Sequence, residues 1–236
     1  AFLPRHGDNH QLLPSEINFR ANIWALKSVG VNRIISVSAT GSLVEEIHPG
    51  ELGIVNQYFD FTKGKREASF FGNGLVAHIS TAEASCGDLA KQIASACAQE
   101  GIKAHSEKTY ACIEGPRLGT RAESWFFKNA GCHLVGMTNV PEAFLAREAQ
   151  LCYCTLAVAT DYDCWLDDPE QHATVDKIIA LYGEALNHVK EVIKIVLENH
   201  RDHKICSCRK ALEGAIMTPE SAMTAKHKEI VEFLQK

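Results

Sequence analysis

No apolar run in the 236-residue chain approaches the ~18 residues that a membrane-crossing helix needs. No secretory signal, internal repeat, low-complexity segment or second-domain boundary is visible either, and a cytoplasmic location is the expectation. Charge of one sign is also in short supply. The formal net charge of −5 comes with no evidently basic face, which argues against a general nucleic-acid binder. What remains is ordinary globular composition, with 46% apolar and 22% charged residues, enough for one sizeable α/β domain.

Cysteine is the one residue type in excess, with nine copies. Cys97, Cys112, Cys132, Cys152 and Cys154 fall in apolar stretches and read as buried, inert thiols. The C-x-C pairs at 152/154 and 206/208 raise a four-thiolate zinc site, but one intervening residue is short for such ligands. Cys206 and Cys208 lie in a polar tail, so a disulfide or redox pair is expected there and no metal.

The chain is organised around 151–165, LCYCTLAVATDYDCW. Its first nine residues read as a buried parallel strand, and ligands of open α/β sheets bind beyond the carboxyl ends of such strands. Asp161, Tyr162, Asp163 and Trp165 follow. Two carboxylates and two aromatics there suit a flat heterocycle and a proton to exchange with it. Helix capping and a D-x-D cation pair are the competing readings.

Further strands are expected at 33–38, 52–59, 75–79, 109–113 and 133–137, with Phe2-Leu3 as a strand end. Helices are expected from Pro14 to Gly30, at 88–101, 120–130, 142–150, 174–199 and 220–234. Ala122, Trp125 and Phe126 form the proposed buried stripe of the 120–130 helix, and 61–74 reads as a long loop of functional length. The fold class is therefore α/β, a mixed and mostly parallel central sheet flanked by helices. A domain at 1–199 carries a helical C-terminal appendage at 200–236.

Short motifs gather at strand ends: RHG (5–7), SATGS (38–42), EGPR (114–117), MTNVPE (137–142) and ATDYDCW (159–165). Together with NFRANIWALK (18–27) and RAES (121–124), they resemble the methylthioadenosine phosphorylases of the trimeric purine nucleoside phosphorylase family. The likeness runs from about Phe2 to Leu197, and the tail CSCRKALEGA (206–215) is similar to the archaeal and bacterial branch.

The resemblance implies phosphate binding by Arg5, His6, Ser38 and Ala39, with Thr138 bridging phosphate and ribose. Met137 would pack on the ribose, Leu118 would border the base, and Asp161 and Asp163 would meet purine N7 and the 6-amino group. Val175, Ile178 and Ile179, with His78 from a neighbouring subunit, would line an apolar 5′-methylthio pocket. It implies phosphate as co-substrate, a small-molecule nucleoside, no metal or organic cofactor, no membrane or nucleic-acid partner, and a homotrimer or hexamer. Similar enzymes usually carry Phe in place of Leu118 and Ser in place of Gly119. Their N-terminal strand and glycine-rich phosphate loop do not occur in this chain.

The implied activity is phosphorolysis of 5′-methylthioadenosine. A broader purine nucleoside phosphorylase and a non-catalytic nucleoside-binding relative are the alternatives. A hydrolytic nucleosidase would leave the anion-holding motifs without an anion.

Overall fold

Five strands close on one another in the computed structural model, which describes residues 1–166, 168, 174–199 and 206–236. The strands are β1 (Arg33–Ser42), β2 (Leu52–Phe61), β3 (Ala104–Ile113), β4 (Leu134–Gly136) and β5 (Cys152–Asp161). Their order around the barrel is β1-β4-β3-β2-β5. Pairs β1/β5, β2/β3 and β3/β4 are parallel, while β1/β4 and β2/β5 are antiparallel. The sheet is thus mixed and mostly parallel as its sequence implies, but closed. All ten residues of β5 are buried, which is why its sequence reads as a continuous apolar run.

Among the described residues six α-helices clothe the barrel: α1 (Phe19–Ser28), α2 (Gly87–Gln99), α3 (Arg121–Asn129), α4 (Glu142–Glu148), α5 (Val175–Glu198) and α6 (Ala225–Gln235). One layer packs α2 and α5 on β5 through Leu89, Ile93, Val189, Val192 and Val196. The other joins α1, α4 and the chain's end through Ile23, Leu145, Leu212 and Leu234. Leu212 and Leu234 are 1% and 0% exposed. Each such burial contributes roughly 1.5–3 kcal/mol, so residues 206–236 belong energetically to the main core.

Several expectations shift. Strands are longer than their apolar centres because β1 and β3 continue through polar residues that the ladder still pairs. SATGS therefore lies within β1 instead of forming a loop. No strand forms at Phe2-Leu3 or 75–79, where only isolated bridges Gly72–Leu75 and Ala77–Ile216 occur. Helix α3 is capped by a Thr120–Glu123 capping box, yet buries Ser124 and Phe127. Trp125 and Phe126 stay 43% and 51% exposed, because Phe127 fills a core cluster and Ser124 bonds Asp163. Cys206 and Cys208 are buried free thiols and not the disulfide expected of a polar tail.

Candidate active site

Chain direction and register bring the strand-end motifs together. At the carboxyl end of β5 the register with β1 shifts, so that Gly41 pairs with Asp161. A Cβ at Gly41 would lie 3.1 Å from Asp161 Oδ1 and 3.0 Å from Asp163 Cβ, so only glycine leaves room for both side chains. Asp161 is 6% exposed, and burial pushes its carboxyl above the ordinary range. The Asp163 amide donates to its Oδ1 at 2.7 Å. Its Oδ2 lies 2.7 Å from Thr160 Oγ1, which also meets Thr40 O at 3.2 Å. The Thr160 hydroxyl and the Asp163 amide both donate to the Asp161 carboxylate, which offsets part of the effect of burial. Burial, the largest influence, nonetheless raises the carboxyl and so favours its protonated form relative to an ordinary Asp.

Asp163, also buried, sits in the left-handed region at φ 52°, a conformation Asp tolerates. Ser124 Oγ donates to its carboxylate. A Cβ at Gly119 would stand 3.7 Å from Asp163 Oδ2, so the Leu118–Gly119 turn borders this carboxylate, with Leu118 itself 41% exposed. The aromatics have other duties. Trp165 is buried and donates from Nε1 to Ser42 O at 2.8 Å, while the Tyr162 hydroxyl meets His48 Nδ1. Neither stacks on a ligand surface, a correction to the reading of 161–165.

Ser38 and Thr138 meet, as expected, with their hydroxyls 3.2 Å apart. The Thr138 amide reaches the Tyr110 hydroxyl at 3.4 Å. Ala39 pairs with Val158 in the parallel β1/β5 ladder, so it supplies no loop cradle. Arg5 runs its guanidinium against β1 and α4. Nε and Nη2 donate to the Glu142 carboxylate at 2.6 and 2.7 Å, Nη1 donates to Val37 O, and Nη2 also donates to Ser36 Oγ. Burial alone would lower its pKa, but Glu142 holds it above its ordinary value. Of five guanidinium hydrogens, one on Nη1 remains for an anion, so Arg5 is chiefly a buried ion-pair partner. Burial lowers the pKa of His6, whose Nδ1 sits against Leu12 O at 2.8 Å and whose ring stacks on His10.

The remaining predicted residues lie apart. Val175 and Ile179 are 64% and 65% exposed at the start of α5, and with Ile178 they join none of the core clusters among the described residues. His78 is exposed and lines a separate cavity with Arg147 and Lys210.

Sequence reasoning missed Arg66, Tyr110 and Asn139. Arg66, with its side chain 2% exposed, ties the 61–74 loop to the site. It donates to the carbonyls of Met137 and Glu114 at 2.8 and 2.9 Å, to that of Val140, and to Glu114 Oε1 at 3.1 Å. That pins the loop bearing Met137 and Thr138. An arginine amid charged loop residues offers no signal of burial. Asn139 donates to Ser36 Oγ and the Tyr153 hydroxyl at 3.0 and 3.2 Å, fixing the same loop to β1 and β5.

The sequence profile of the phosphorylase superfamily matches residues 1–197. The chain belongs to the phosphorylase superfamily. Within it, the chain is 46% identical over 233 residues to S-methyl-5'-thioadenosine phosphorylase of Geobacter sulfurreducens, covering 99% of this chain and 81% of that relative. A methylthioadenosine phosphorylase structure sourced from an antarctic soil metagenomic library superposes with TM-score 0.88 at 40% identity, over 99% of this chain and 82% of the other. The methylthioadenosine phosphorylase of Schistosoma mansoni in complex with adenine gives 0.86 at 34% identity, over 91% and 82%.

Proposed function

We propose that this chain catalyses phosphorolysis of 5′-methylthioadenosine, giving adenine and 5-methylthioribose 1-phosphate. The observation that carries the reading is the buried Asp161 at the end of β5, its carboxyl raised by burial, together with the Ser38–Thr138 hydroxyl pair. Cleaving an N-glycosidic bond to a purine requires a proton for the leaving base and an anion held at C1′. A phosphate oxygen attacks C1′, the C1′–N9 electron pair passes to the purine, and Asp161 supplies the proton taken up at N7. Ser38 and Thr138 hydroxyls donate to phosphate, with the spare Arg5 hydrogen as a third contact. Met137 on its pinned loop packs beside the ribose, and Asp163 accepts from the 6-amino group.

The names of the relatives support the methylthio substrate, and no cofactor is needed for any of these steps. The exposed apolar Val175 and Ile179 support a 5′ pocket completed by a neighbouring copy in a homotrimer. The test is release of adenine from 5′-methylthioadenosine with and without inorganic phosphate. Release that requires phosphate and yields 5-methylthioribose 1-phosphate is the expected result. Release without phosphate would make the enzyme a hydrolase, and none under either condition would leave a nucleoside-binding protein.

A further inference from the structure

Four of the nine cysteines come from distant parts of the chain to one point. Cys86 is the N-cap of α2, Cys152 opens β5, and Cys206 and Cys208 flank Ser207 at the short 3-10 turn Ser207–Lys210. Each is buried, and their four sulfurs all lie within 4.8 Å of one another. Cys86 Sγ and Cys206 Sγ are 3.6 Å apart, and no pair is bonded.

We infer that Cys86, Cys152, Cys206 and Cys208 form a closed structural site for one thiophilic divalent cation of the zinc class. Zinc–sulfur bonds of about 2.3 Å in a tetrahedron place sulfurs ~3.8 Å apart, so the cluster needs a contraction of about 1 Å at most. The single residue between Cys206 and Cys208 does not prevent it. Cys206 is extended (φ −67°, ψ 131°) while Cys208 lies within the turn, and the change of backbone brings both sulfurs to one side. Cys154, the partner a C-x-C reading suggests, points instead toward Val55 O, and Cys86 takes its place.

Charge is provided for as well. Four thiolates around a divalent cation leave two negative charges, and Arg147 Nη1 lies 3.2 Å from Cys208 Sγ. Arg147 Nε is buried without a partner among the described residues. Loading exchanges protons for metal: M²⁺ plus four thiols gives the tetrathiolate complex and four H⁺. No coordination position is left open, so the ion's role is to clamp residues 206–215 onto α2 and β5. That segment walls a cavity of about 260 Å³ with His78, which donates its amide to Ala215 O at 2.9 Å.

The test uses the full chain, reduced and stripped with chelator, then titrated with Co²⁺ alone and afterwards with Zn²⁺. Expected are sulfur-to-cobalt charge-transfer and tetrahedral d–d bands saturating at about one ion per chain, bleached by zinc. About four protons should be released, and Tm should rise with free zinc. Cys208→Ser and Cys86→Ser should lose the tetrathiolate bands, whereas Cys132→Ser, remote from the cluster, should keep them. The wild-type spectrum decides alone if a variant fails to fold. A reduced wild-type chain that takes up no cobalt overturns the proposal, as does cobalt uptake unaffected by both serine variants. Four cysteines found paired as disulfides, with no cobalt uptake after reduction, would mark a redox cluster and equally sink the metal site.

Discussion

The two ends of the candidate substrate site are built in opposite ways. At the strand ends, Asp161, Asp163, Ser38 and Thr138 are buried, hydrogen-bonded to named partners and held by residues from β1, β5, α3 and the 137–142 loop. At the start of α5, Val175 and Ile179 stand exposed and join no core cluster among the described residues. The difference teaches what each end can do unaided. Proton donation needs a fixed, desolvated carboxyl, and a single chain provides it. An apolar pocket needs a second wall, and the exposed face gains one only when another surface covers it.

The largest effect should come from breaking the strand-end side. Asp161→Asn should lower kcat/KM for 5′-methylthioadenosine by roughly 10²–10⁴-fold, the range for losing a general acid, with circular dichroism unchanged. In the parent enzyme kcat/KM should fall as pH rises through the raised Asp161 pKa, and that limb should vanish in the Asn variant. The sign follows from the folded carboxyl holding its proton above the range where an unfolded Asp ionises. The same burial therefore costs stability as pH climbs from the unfolded pKa toward the folded one. An unchanged kcat/KM in the variant would remove Asp161 from the chemistry.

Next comes the scaffold beneath the same end. Arg66→Met strands buried carbonyls and the Glu114 carboxylate, so unfolding in urea should show a loss on the order of 3–5 kcal/mol. A loss below about 0.5 kcal/mol, the scale of ordinary surface changes, would show that the loop holds without it.

The smallest effect should fall on the exposed end. Ile179→Asp should leave the fold within about 0.5 kcal/mol of the parent, as surface substitutions usually do. It should nonetheless weaken 5′-methylthioadenosine turnover relative to adenosine about tenfold, since only the former presents an apolar 5′ end. Light scattering on both proteins should report a homotrimer or a multiple of it. Equal loss on the two substrates, or a fully active monomer, would strip this face of its assigned role.

Much of this architecture was legible in residue order. A continuous apolar run too short for a typical helix reads best as a buried strand, so β5 and its terminal carboxylates stood out. Ser38 and Thr138 were placed together by the family resemblance, and their hydroxyls do meet. Helix spacing located α2, α5 and α6 within a few residues, whereas the face that α3 buries was misjudged because Trp125 and Phe126 are the more apolar choice.

What periodicity reports is a local preference for burial, and it is blind to which partner arrives. Thus the sequence by itself located the centres of the five strands, most of the helices and the carboxylate pair after β5. Only tertiary structure decided that the sheet closes, that Arg5 is engaged by Glu142, that Arg66 is buried, and that Cys86 joins Cys152, Cys206 and Cys208. Each of these depends on residues far apart in the chain, for instance 137 positions between Arg5 and Glu142 and 120 between Cys86 and Cys206. Such pairings follow from register and packing around the barrel, which no window of local sequence contains.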